Sequence, residues 1–120
     1  MPVIRSMHNP LISPGDVRPS RDDFQVVCVF NAGVTRYQDE ILLLLRVAEK
    51  PINANPAVER VPFYNVKSGH IEIKIFPRSD PTIDFSDSRF VRTVDAQYLS
   101  SISHARLARS TDGIHFEIEE

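Results

Sequence analysis

The chain has a single cysteine, Cys28, among its 120 residues. One thiol forms no internal disulfide, so nothing here calls for an oxidising compartment. An excess of one charge is also missing: 14 Lys and Arg stand against 16 Asp and Glu, a formal net charge of −2. Phosphate contacts need clustered Lys and Arg, and a basic aromatic face is lacking, so nucleic acid is not an expected partner. Long hydrophobic runs are absent. The longest, Ile41 to Leu45, falls far short of the ~18 apolar residues of a membrane-spanning helix, so no membrane is expected either. The N-terminus, Met-Pro-Val-Ile-Arg-Ser-Met-His-Asn-Pro, has no apolar core of a secretory signal, and the expected location is cytoplasmic. His8, His70, His104 and His115 are scattered without zincin or zinc-finger spacing, which argues against a metal site.

What remains is a globular composition, with 42% hydrophobic and 25% charged residues, in a chain the length of one domain. The expected organisation is a single unit: an extended lead segment over 1–23, punctuated by Pro2, Pro10, Pro14 and Pro19, followed by strands over 24–120. Phe24-Gln-Val-Val-Cys-Val-Phe30 is β-branched, aromatic and nearly continuous in apolar character. That pattern predicts a strand covered on both faces, with Cys28 a small buried hydrophobe. Asn31-Ala-Gly33 reads as the turn at its end. The run 39–50 is open to two readings. Its leucines and acidic start favour a helix, whereas the unbroken apolar block closed by Pro51 favours a buried strand, and periodicity does not separate them.

Residues 51–69, with Pro51, Pro56, Pro62 and Gly69, read as a loop. His70-Ile-Glu-Ile-Lys-Ile-Phe76 alternates strictly, the period of a half-exposed strand. Phe90 to Val94 and Ser101 to Arg109 read as further strands. Ser110-Thr-Asp-Gly113 predicts a hairpin turn, with the return strand starting at Ile114. Asp80, Asp84, Asp87 and Asp95 sit among Ser and Thr without the spacing of a calcium loop, and read as solvated loop carboxylates. Many short strands separated by turn signals predict an all-β sandwich, barrel or propeller.

Four segments occur in a telling order: Asn9-Pro-Leu-Ile12, Val29-Phe-Asn-Ala-Gly33, the Leu-rich run from Glu40 to Glu49, and Ser101 to Phe116 with its Ser-x-Asp-Gly-x-x-Phe piece. Together they make the chain resemble the N-terminal portion of glycoside hydrolase family 130. Those proteins are mostly inverting phosphorylases of β-mannosides, with some hydrolases, on a five-bladed β-propeller. The resemblance implies an all-β, partial five-bladed propeller, one and a half to two blades after the lead segment, and it resolves 40–48 as a strand paired with the one ending at Phe30. It also implies a mannose-containing oligosaccharide as partner, inorganic phosphate as co-substrate of the complete enzyme, and no other cofactor.

The resemblance implies substrate-binding roles for Asn31 and Arg46 at the −1 subsite, and places Ser103 and His104 near the central channel. A carboxamide offers a donor and an acceptor to neighbouring hydroxyls, and a guanidinium offers a fixed fork of donors. Each residue also has a plainer reading. Asn31 before Ala-Gly is a turn residue. Arg46 inside an apolar strand is a buried cation that needs a carboxylate partner. His104 is a satisfied structural histidine. Ser103 and His104 do not form a nucleophile and base, because adjacent strand residues point to opposite faces. No catalytic residue is assigned. The family's general acid lies in a Glu-Asp-Pro-Arg type motif, expected beyond Glu120, and Asp80-Pro81 is followed by Thr82 and lies in a different segment. The expected function is therefore sugar binding within a β-mannoside phosphorylase, inactive alone. The alternative is a non-catalytic carbohydrate-binding or assembly module. Open strand edges would invite self-association or a complementing C-terminal polypeptide.

Overall fold

The computed structural model describes residues 2–120, and its regular elements are strands apart from one 3-10 turn at Pro14–Asp16. The strands are β1 (Phe24–Tyr37), β2 (Glu40–Pro51), β3 (Val58–Asn65), β4 (His70–Pro77), β5 (Phe90–Arg92), β6 (Gln97–Leu99), β7 (Ile102–Ser110) and β8 (Glu117–Ile118). They form a four-stranded sheet in the order β1-β2-β7-β8 and two ribbons, β3-β4 and β5-β6. The all-β expectation holds. The chain divides into two compact units, one built from residues 1–18, 26–48 and 103–120, the other from 19–25 and 49–102.

The first unit carries most of the four-stranded sheet. In β2 the leucine block alternates: Leu45 and Val47 are buried while Leu44 and Arg46 are exposed. The run is a strand, as the resemblance implied, and its helix propensity is overridden by burial of every second side chain. Leu45 and Val47 join Val17 and Ala108 in the core, with Ile12, Val26, Val29, Leu43, Phe116 and Ile118 packed against them. The lead segment thus contributes Val17 to the core. Its 3-10 turn is closed by Asp16, which accepts from the Ser13 N–H (2.7 Å) and hydroxyl (2.8 Å); these bonds hold the Asp16 carboxyl below its ordinary pKa.

Several expectations for this unit need correction. Asn31-Ala-Gly33 is no turn: β1 runs through it to Tyr37, and the chain reverses at Gln38-Asp39, where Gln38 has φ 55°. Nor is β1 covered on both faces. Val27 is 40% exposed, and Cys28 is exposed instead of buried. The Asp-Gly hairpin is looser than expected: β7 ends at Ser110 and pairs back through Ala108 with Ile118 and Arg109 with Glu117, and the Glu119 N–H donates to the Leu107 carbonyl (2.8 Å). Arg109 gathers Glu119 (2.6 Å) and Glu40 (2.9 Å), tying β7 to β2 and to the residue after β8.

In the second unit, residues read as a loop contain β3. It pairs antiparallel with β4 from Val58 opposite Pro77 to Asn65 opposite His70. Pro62 lies within it, opposite Ile73. A two-stranded ribbon leaves alternate N–H positions outside the ladder, where proline removes no bond. Lys74 of β4 sits over the rings of Phe63 and Tyr98, and its ammonium donates to the Tyr98 hydroxyl (3.0 Å). Three loop carboxylates each accept the N–H two residues on: Asp80 from Thr82, Asp84 from Ser86, and Asp87 from Arg89. The Arg89 guanidinium and N–H hold the Asp87 carboxyl down to about 2. Glu49, fully buried, accepts from the Ser20 N–H and hydroxyl, both at 2.6 Å.

Candidate functional site

Three strands of the first unit shape an open cleft of about 340 Å³. From β1 come Asn31 and Gly33, from β2 Leu44, Leu45 and Arg46, and from β7 Ser103, His104 and Ala105. All four residues named from the sequence, Asn31, Arg46, Ser103 and His104, therefore meet around one space, although 72 positions separate the first from the third.

Each is placed by its strand. Asn31 has φ 47°, a left-handed conformation inside an otherwise extended run, of the kind found at β-bulges. Asparagine tolerates that region better than other side-chain-bearing residues. The residue is exposed and borders the cleft. Arg46 lies on the exposed face of β2, opposite in sense to its buried neighbours Leu45 and Val47. The expected buried ion pair is not what is found. The side chain is exposed, and its guanidinium carbon sits 5.1 Å from the centre of the Phe30 ring. Among the described residues no carboxylate pairs with it. Ser103 and Ala105 share a face of β7, and His104 between them borders the same cleft half-buried.

Leu45, next to Arg46, was missed by sequence reasoning, and so were three others, Gly33, Leu44 and Ala105. Each of these three stands two positions from a residue that was named: Gly33 from Asn31, Leu44 from Arg46, Ala105 from Ser103. The period-2 rule yields all three once the strands are assigned. Gly33 matters by its lack of a side chain, since a Cβ there would stand 3.8 Å from that of Leu44 and fill space the cleft now offers.

Among the described residues Arg46 is the one Lys or Arg in this lining, and no Asp or Glu joins it. The walls otherwise combine apolar surface from Leu44, Ala105 and Gly33 with a carboxamide, a hydroxyl and an imidazole. That set can hold a neutral ligand bearing several hydroxyls and an apolar face. Among the described residues the lining holds no carboxylate, and no cluster of His, Cys, Asp and Glu could hold a metal ion. Among those residues no helix is long and apolar enough to cross a membrane.

An all-β protein with a donor-rich, nearly uncharged cleft is the class that these features define. No family model matches the chain. It is 44% identical, over its whole length, to a β-1,2-mannobiose phosphorylase of Listeria innocua serovar 6a (strain ATCC BAA-680 / CLIP 11262). The solved structure of the Listeria innocua β-1,2-mannobiose phosphorylase in complex with β-1,2-mannobiose superimposes on 97% of the chain with a TM-score of 0.85. The resemblance to glycoside hydrolase family 130 therefore holds along the chain, in sequence and in backbone. The chain spans about a third of the length of that relative, 35% by sequence and 34% by structure.

Proposed function

We propose that the chain supplies one wall of the −1 mannose subsite of a β-mannoside phosphorylase, and that its sheets belong to a five-bladed β-propeller. Inorganic phosphate is the co-substrate of the whole enzyme in this reading, and a mannose-containing oligosaccharide is the ligand. The observation that carries it is the convergence of Asn31, Arg46, Ser103 and His104 on one cleft. Identity of 44% with a phosphorylase of β-1,2-mannobiose supports the choice of sugar. The Arg46 guanidinium, with no competing carboxylate among the described residues, donates to neighbouring sugar hydroxyls. Asn31 both donates and accepts, and Leu44 and Ala105 meet the apolar face of the ring.

Titration of the 120-residue chain with β-1,2-mannobiose by calorimetry tests this reading. Saturable binding in the millimolar range is expected. Arg46→Ala weakens it about tenfold or more, the loss of a charge-assisted hydrogen bond. Equal binding by both proteins would end the proposal.

One observation favours a second reading, a non-catalytic carbohydrate-binding or assembly module. Among the described residues that line the cleft there is no Asp or Glu. Both readings expect binding without turnover from this chain. Formation of mannose 1-phosphate from β-1,2-mannobiose and phosphate by the purified chain would eliminate the second and would also correct the first, which expects turnover only from the whole enzyme.

A further inference from the structure

Arg46 differs from the ordinary arginine of a strand in what holds it. An arginine among apolar residues is usually oriented by a carboxylate, which occupies the N–H donors it aligns. Arg46 has no such partner among the described residues, and its guanidinium carbon lies over the Phe30 ring, 5.1 Å from the centre. A ring face attracts the cation without accepting its hydrogen bonds, so the donors, which lie in the guanidinium plane, remain free to serve a ligand. Phe30 immediately precedes Asn31, whose left-handed backbone sets the course of β1 at that point. The ring that aligns Arg46 and the carboxamide beside it are thus fixed by one short segment.

We propose that Phe30 is a positioning residue for the sugar site: its ring holds the Arg46 guanidinium in a binding-ready orientation with its donors uncommitted. This rests on the sugar-binding reading of Arg46. It makes Phe30 a determinant of affinity although the ring is not among the cleft-lining side chains. It also predicts that an aromatic ring, and not mere bulk, is what position 30 requires.

The test compares wild type, Phe30→Leu, Phe30→Tyr and Arg46→Ala by two-dimensional NMR of the full 120-residue chain, with β-1,2-mannobiose as the titrant. Two readouts are followed: the side-chain resonances of Arg46, which a ring face shifts upfield, and the dissociation constant. In wild type and Phe30→Tyr the Arg46 side-chain signals lie upfield, and the two affinities agree within about twofold. In Phe30→Leu the signals return toward their unshifted positions, and binding weakens about three- to tenfold. Unchanged backbone spectra away from the cleft distinguish this from loss of fold; if Phe30→Leu does not fold, failure of Phe30→Tyr to keep the upfield shift overturns the inference by itself. Upfield Arg46 signals that persist in Phe30→Leu, or equal affinity for the sugar, overturn the inference while leaving the sugar site standing, provided Arg46→Ala still weakens binding. Absence of wild-type binding, or no effect of Arg46→Ala, overturns the sugar site and with it this role of Phe30.

Discussion

Asp112 illustrates how much of a turn one carboxylate can organise. It accepts from the N–H groups of Ile114 and His115, each at 2.8 Å, and from the Ser110 hydroxyl at 3.0 Å, while its second oxygen lies 2.7 Å from Nδ1 of His115. The His115 ring first, then the backbone N–H groups of His115 and Ile114, hold its carboxyl well below the ordinary carboxylate range. A depressed native pKa means that the unfolded chain takes up the proton first as pH falls. The contribution is therefore complete above the unfolded value of ~3.9 and is lost as pH drops from there through the native value. We expect Asp112→Ala to lower the thermal unfolding midpoint at pH 7, and the gap from wild type to narrow below about pH 4. Unfolding followed by circular dichroism across that range checks it, and a gap independent of pH would contradict this role. Gly113, with φ 77°, completes the same turn in a conformation that glycine adopts without strain.

The strand β2 shows why alternation outweighs composition. Four consecutive leucines look uniform in sequence, yet Leu45 is 3% exposed and Leu44 is 55% exposed. Leu45→Ala should cost about 2–5 kcal/mol of stability, as a cavity in a packed core does. Leu44→Ser should change it by no more than ~0.5 kcal/mol. Chemical denaturation of the two variants tests the assigned faces, and similar losses would show the faces to be misassigned. The same alternation explains what was legible beforehand and what was not. The order of segments gave β2, β7 and the four named cleft residues. The exposed side of β2 was hidden because an unbroken apolar run suggested cover on both faces, and that assumption made Arg46 a buried cation in need of a carboxylate. β3 was hidden by Pro62, which breaks a central strand but not a two-stranded ribbon. Asn31 looked like the end of β1 because Asn-Ala-Gly is turn chemistry; the same tolerance of positive φ serves a distortion inside the strand instead.

For the molecule as a whole, the cleft-lining residues come from β1, β2 and β7, and each of them belongs to the first compact unit. The core of that unit is filled by Leu45, Val47, Val17 and Ala108, and Leu45 also borders the cleft. Val34 on β1 is 70% exposed and Tyr37 58%, which leaves β1, an end strand of its sheet, open along its outer half. The chain corresponds to about a third of a relative that has been solved with β-1,2-mannobiose. The sugar-site reading is tested most directly by a crystal structure of this chain soaked with β-1,2-mannobiose. The account predicts a mannose ring in the cleft, with the Arg46 guanidinium and the Asn31 carboxamide at hydrogen-bond distance from its hydroxyls and the guanidinium still over Phe30. A sugar bound elsewhere, or a mannose in the cleft with Arg46 turned away from it, would contradict it.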